Sequence, residues 1–244
     1  MRPSTIAVLS VFALVAVSTD SLAQSHARIF DVTLASPVES LPAGQWFQPS
    51  CGTDGGPPSL RLDGFGDFAR CPIEERTGLH EIWFIYDDEW EYIARAYRDP
   101  VEIGRFSANV FYGQPIITSL LIDREGIVQG YRVITDPRAP ADVRIEAYLL
   151  LGIFKPLFGD GVWQCVDHPP ADRESPVNGT FVKTDCAAVA GGRYLSIEAR
   201  YLRKAGQDAF EVPQEGYFES QARLEVINAA AVMDAPCCRA LSSR

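Results

Sequence analysis

From Leu79 onward the pattern of apolar and polar positions first becomes unambiguous. Ile82, Phe84 and Tyr86 fall on one face of an extended chain and Trp83 and Ile85 on the other, so a strand here is apolar on both sides. Such a strand belongs inside a sheet and not at its edge. At Asp87-Asp88-Glu89-Trp90-Glu91 the period changes: Trp90, Ile93, Ala94 and Tyr97 recur at helical spacing. Asp88 with Glu91 makes a capping-box pattern, Arg95 and Arg98 suit the far end of the helix dipole, and Asp99-Pro100 stops the run.

Elsewhere the pattern is mostly of period two. Arg28 to Leu34 reads as a short strand, and Ile116 to Ile122 with Ile127 to Ile134 flank Asp123-Arg124-Glu125-Gly126 as a hairpin. Thr180 to Cys186, Arg193 to Arg203 and Tyr217 to Ile227 alternate, with Leu195, Ile197, Ala199 and Tyr201 opposed to Ser196, Glu198 and Arg200, so one face is expected to meet water. A second helix is predicted from Asp142 to about Leu151, with Val143, Ala147, Leu150 and Leu151 as its stripe and Gly152 and Pro156 ending it. Between Pro42 and Gly66 the chain is rich in Pro and Gly and resists both helix and ladder. Within that loop Phe65 and Phe68 of Gly64-Phe65-Gly66-Asp67-Phe68 read as anchors to a core. The whole predicts an α+β fold, a largely antiparallel sheet with two main helices.

The start of the chain changes the picture of where this domain works. Arg2, an apolar run from Ile6 to Val17 and the small residues of Ser21-Leu22-Ala23 form a secretory leader, with cleavage expected after Ala23. Residues 24–228 then make one α+β domain, two sub-lobes meeting near 100–106 being the alternative, and 229–244 a tail. Gln24 follows the small residues where a lipoprotein would need Cys, so no lipid anchor is expected, and no later stretch reaches the length of a membrane helix. A secreted or periplasmic location follows. It makes the six cysteines disulfide candidates. Nearness in sequence pairs Cys51 with Cys71 and Cys165 with Cys186, closing loops worth about 3 kcal/mol each in the chain-entropy model. Cys237-Cys238 cannot easily pair with itself.

A net charge of −10 with no basic run excludes nucleic acid as an expected partner. The acid cluster Asp87, Asp88, Glu89 and Glu91 could in principle divide acid and base roles in a hydrolase, but adjacent residues at a helix start point apart and capping accounts for them. His80-Glu81 lacks the second histidine of a zinc-protease helix, since Phe84 occupies that position, and His26, His80 and His168 are scattered. Neither a metal nor a cofactor is expected. Cys165 lies three residues before His168, too close in sequence to present a nucleophile to its base. Asn178-Gly179-Thr180 fits either a glycosylation acceptor or an ordinary turn.

Phe30-Asp31-Val32-Thr33-Leu34 followed by Pro37-Val38 resembles, over fewer than ten residues, the strand-then-helix start of small envelope α+β binding modules. Ala35 stands where those modules often have glycine, and no functional residue is carried across. The expectation is a non-catalytic protein that binds an envelope or extracellular protein or ligand. Its candidate binding residues are Trp163 and His168, at the base and in the Pro169-Pro170 stretch of a loop closed by Cys165 and Cys186. Histidine adds a side chain whose charge changes near neutrality. The alternative is an envelope hydrolase using the carboxylates of the 87–91 cluster.

Overall fold

The structure, a computed structural model, describes residues 28–42, 44–86, 109–139, 143–159, 163–204 and 218–232. The leader, His26, the acid cluster with the helix expected after it, and Cys237-Cys238 lie outside these residues.

The described strands are β1 (Ser36–Pro37), β2 (Trp46–Cys51), β3 (His80–Tyr86), β4 (Asn109–Phe111), β5 (Gln114–Ile122), β6 (Ile127–Thr135), β7 (Gln164–Asp167), β8 (Val182–Ala190), β9 (Arg193–Leu202) and β10 (Glu219–Asn228). They form one antiparallel sheet in the order β2-β3-β5-β6-β10-β9-β8-β7. Strand β10 covers Gly130 to Ile134 of β6 and leaves Ile127 and Val128 to β1. On one edge of β5, strand β3 takes Thr118 to Ile122 and β4 takes Gln114 to Ile116. Where that edge changes partner, Asn109 bridges: its Oδ1 accepts from the Tyr86 N–H at 2.9 Å and its Nδ2 donates to Thr118 Oγ1 at 2.6 Å.

Strand β3 is interior, between β2 and β5, as its double-sided pattern predicts. The β5–β6 hairpin turns on Asp123, whose carboxylate accepts from the N–H of Glu125 and of Ile127, and on Gly126 at φ +82°, a conformation that other residues adopt only with strain. Both expected bridges are present, Cys51–Cys71 and Cys165–Cys186. Among the described residues no helix is long and apolar enough to cross a membrane.

One face of the sheet carries the main core. Ile82, Phe84 and Tyr86 of β3 align with Ile116, Leu120 and Ile122 of β5, Tyr131 and Val133 of β6, Leu224 and Val226 of β10, and Leu195 and Ile197 of β9. Trp46 stacks on Phe84 at 4.4 Å, and Phe65, an anchor as its glycine frame suggests, meets both rings edge-on. Each such side chain contributes about 1.5–3 kcal/mol by leaving water.

The fold is richer in sheet than the pattern predicts, and four expectations need correction. The stretch between Pro42 and Gly66, expected to resist both helix and ladder, contains β2, which pairs with β3 across a register shift between Phe47 and Ser50. Residues 28–34 are not a strand: Ile29–Asp31 forms a 3₁₀ turn in which Asp31 accepts from the Arg28 N–H at 3.0 Å. The local carboxylate contact and the burial of Ile29 outweigh a weak alternation. The expected helix from Asp142 to Leu151 is displaced. Its stripe residue Ala147 opens a 3₁₀ turn to Leu149, and the helix itself, α1, spans Leu150–Leu157. Asp142 lies outside the described residues; residues 143–146 are turn and bend, and Arg144 among them donates from Nε to the Ala139 carbonyl and from Nη1 to that of Ser220. The helix then runs through Gly152 and Pro156 because Leu150 and Phe154 are buried, with Phe154 stacked on Phe111 at 5.6 Å, and this burial offsets poor propensity. The last correction concerns the polar face of β10, expected to meet water: Glu219, Gln221 and Arg223 are only partly exposed and Glu225 is buried.

Candidate functional site

The face opposite the main core is offset from it by one residue along each strand. It carries Glu81 on β3, Ser119 on β5, Arg132 on β6 and Glu225 on β10. Ser119 stands opposite Arg132, and Arg132 opposite Glu225, in the sheet register. Arg132 is 0 % exposed and Glu225 1 %. The segment between β2 and β3 lies over them, and its charges complete the set. Arg132 donates from Nε to Glu225 at 2.6 Å and from Nη2 to both oxygens of Glu74 at 3.0 Å. Its Nη1 is 3.0 Å from Asp54 and 3.1 Å from Glu81. Arg76 grips Glu225 with two nitrogens, and Arg223 reaches both Asp54 and Glu225.

Four carboxylates therefore surround three guanidinium groups. Burial alone would push the Glu225 carboxyl up, but Arg132, Arg76 and Arg223 outweigh it and hold it well below the usual carboxylate range. Burial alone would likewise lower the Arg132 guanidinium, yet Glu225, Glu81, Glu74 and Asp54 raise it further. A carboxylate pinned in the charged form as Glu225 is makes a poor proton donor, and Arg132 occupies the centre where a cation would sit. The cluster is a clamp that fastens the 52–79 segment to the sheet. Its fit includes Gly52: a Cβ there would stand 2.4 Å from the Glu81 side chain.

Toward β9, β8 and β7 the same face becomes exposed, and the charges continue across it. Asp185 on β8 accepts from His168 Nε2 at 2.8 Å and pairs with Arg200 on β9 at 2.5 Å. Arg200 also lies 3.6 Å from Glu198. The loop after β7 is held at several points. His168 N–H donates to the Lys183 carbonyl at 2.8 Å, and the Lys183 ammonium sits between the two oxygens of Glu174 at 3.0 and 2.9 Å. The Ala171 N–H, and then Lys183, hold the Glu174 carboxyl below its ordinary range. Asn178-Gly179 forms a tight turn between the paired residues Val177 and Thr180.

Trp163 and His168, the two binding candidates, are thus placed at opposite ends of β7 and on opposite faces. Trp163 leans on the main core, meets Phe158 edge-on at 6.4 Å and donates its indole N–H to the Lys155 carbonyl at 3.1 Å. His168 stands on the charged face, part-exposed and oriented by Asp185. Among the described residues no hydroxyl or thiol bonds to its ring. His80 is buried far from it in sequence, with Nδ1 2.7 Å from the Cys71 carbonyl. No group of three or more His, Cys, Asp or Glu among the described residues could hold a metal ion.

The pattern of the sequence pointed to neither Arg132 nor Glu225. The available signal was a charge in the middle of an apolar run: Arg132 between Tyr131 and Val133, and Glu225 between Leu224 and Val226. These features define a disulfide-bridged antiparallel sheet protein with an internal ionic clamp. Compared with known proteins, the chain matches no family model, and no curated protein or solved structure is significantly similar to it.

Proposed function

We propose that this is a secreted or periplasmic protein that binds an envelope or extracellular partner without chemistry, through the loop that follows β7. The observation that carries the reading is the fixed presentation of His168. Its ring is oriented by Asp185, its backbone is tied to Lys183, and Pro169-Pro170 stiffens what comes next. A group already ordered loses less entropy on binding. The two bridges and the leader expected over residues 1–23 support an oxidising compartment. The ring lacks a hydroxyl or thiol partner among the described residues, which favours binding over nucleophilic catalysis. Trp163 serves as the base that holds β7 to the core.

The test replaces His168, Pro169 and Pro170 together with Ala and compares partner capture from the native envelope fraction with that of the unaltered protein. Capture should weaken by an order of magnitude while the melting temperature stays within about 2 °C, since all three residues lie at the surface. Equal capture by the variant removes the loop as the binding site.

A further inference from the structure

The two bridges sit in opposite surroundings. Cys51 and Cys71 are both buried in the main core, with the Cys51 N–H and carbonyl bonded to Leu60 and Ser59 and the Cys71 carbonyl facing His80. Cys165 is exposed, on an outermost strand of which all four residues are exposed, and only its partner Cys186 is buried. The bond from His168 N–H to the Lys183 carbonyl fixes the parity of the ladder. Val166 with Asp185 and Gln164 with Ala187 are then hydrogen-bonded pairs, and Cys165 with Cys186 falls at the narrow, non-bonded position between them, Cα to Cα 4.0 Å. Val166 is 57 % exposed, so β7 has little burial of its own to keep it on the sheet.

From this contrast we propose that Cys165–Cys186 is a redox-sensitive clasp. A dithiol reductant opens it in the folded protein and releases β7, while Cys51–Cys71 stays closed. One thiolate of the dithiol attacks the sulfur of the exposed residue Cys165, the S–S bond breaks, and Cys186 leaves as a thiolate and takes up a proton. The second thiolate then attacks the mixed disulfide and frees Cys165, which is also protonated. The dithiol is oxidised to its disulfide and the protein gains two thiols. What remains is a short ladder, the Thr184–Asp167 contact at 2.6 Å and His168–Asp185 along the strand, with Trp163 keeping the residue before β7 against the core. Strand β8 becomes the sheet edge, and the position of His168 is no longer fixed. The clasp does not depend on the binding reading above.

The experiment treats the full chain with graded dithiothreitol in non-denaturing buffer, alkylates it and maps the modified cysteines by mass spectrometry. Cys165 and Cys186 should become alkylated at a reductant concentration at least about tenfold below that needed for Cys51 and Cys71, with amide exchange at Val166, Asp185 and Ala187 accelerating at least about tenfold in step. The Cys165→Ser/Cys186→Ser variant should show the same fast exchange without reductant. Opening of both bridges together, earlier opening of Cys51–Cys71, or unchanged exchange in the double variant would each overturn the proposal.

Discussion

On one face of strands β3, β5, β6 and β10 stand Ile82, Leu120, Val133 and Leu224; on the other, one residue along, stand Glu81, Ser119, Arg132 and Glu225. Both sets are buried, but they do different work. The apolar face supplies the non-directional gain of area removed from water and tolerates rearrangement of its contacts. The ionic face gains little net energy, because desolvating charges costs about as much as their attraction returns. It is directional instead. Arg132 donates from its fork to carboxylates on both sides, so it selects which part of the 52–79 segment lies over the sheet. A one-residue slip of β6 would carry Arg132 into the aromatic core, so the network also fixes the register.

The contrast can be broken most forcefully at Arg132. Arg132→Met leaves Glu81, Glu74 and Glu225 without their central cation and should destabilise the protein by about 3–5 kcal/mol in urea unfolding, as much as Phe84→Ala on the apolar face. The two faces part company in the next variant. Adding Glu81→Leu and Glu225→Leu to Arg132→Met leaves Asp54 with Arg223 and Glu74 with Arg76, a balanced set, and most of the loss should return. No second substitution beside Phe84→Ala is expected to do this, since a cavity has no charge to cancel.

A smaller effect is expected from Glu225→Gln, about 2 kcal/mol at pH 7 from weakened charged hydrogen bonds. Its pH dependence sharpens the comparison. The Glu225 carboxyl titrates lower in the folded protein than in the unfolded chain. Its contribution is therefore complete above the unfolded value of about 4.3 and is lost as pH falls below it toward the folded value. Stability curves of the two proteins should run parallel from pH 5 to 8 and converge only in stronger acid, which circular dichroism melts at stepped pH will show.

Gly52→Ala tests the fit of the clamp from the loop side. The new Cβ meets the Glu81 side chain, and about 1–3 kcal/mol should be lost by overpacking. The smallest effect belongs to the exposed end of the same face. Asp185→Asn removes partners of His168 and Arg200 yet should cost less than about 1 kcal/mol, and that little should fade in high salt. Most of the Arg132→Met loss should persist in salt, because Arg132 and its partners Glu81 and Glu225 are buried away from counterions.

Reading the chain locally was enough for whatever local patterns control. The interior position of β3, the β5–β6 turn on Asp123 and Gly126, the strands around Leu195 and the two bridges all rest on period, turn chemistry or nearness in sequence. Helical placement was less legible. Arg144, inside the stretch expected to be helical, is instead tied to the carbonyl of Ser220, 76 residues away, and α1 begins only at Leu150. Alternation of Glu225 with Leu224 and Val226 reads as a wetted face because alternation reports only that two faces differ, not what covers the polar one.

The sequence by itself determined that strands dominate, that one side of them is apolar and that the cysteines near in the chain are bridged, since hydrophobic periodicity and short loop closure are properties of neighbours. Only the tertiary structure decided that the charged side is also an interior. Arg132 finds Glu74 58 residues before it and Glu225 93 residues after it. A charge can be buried only when its partners arrive together, and no window along the chain contains them.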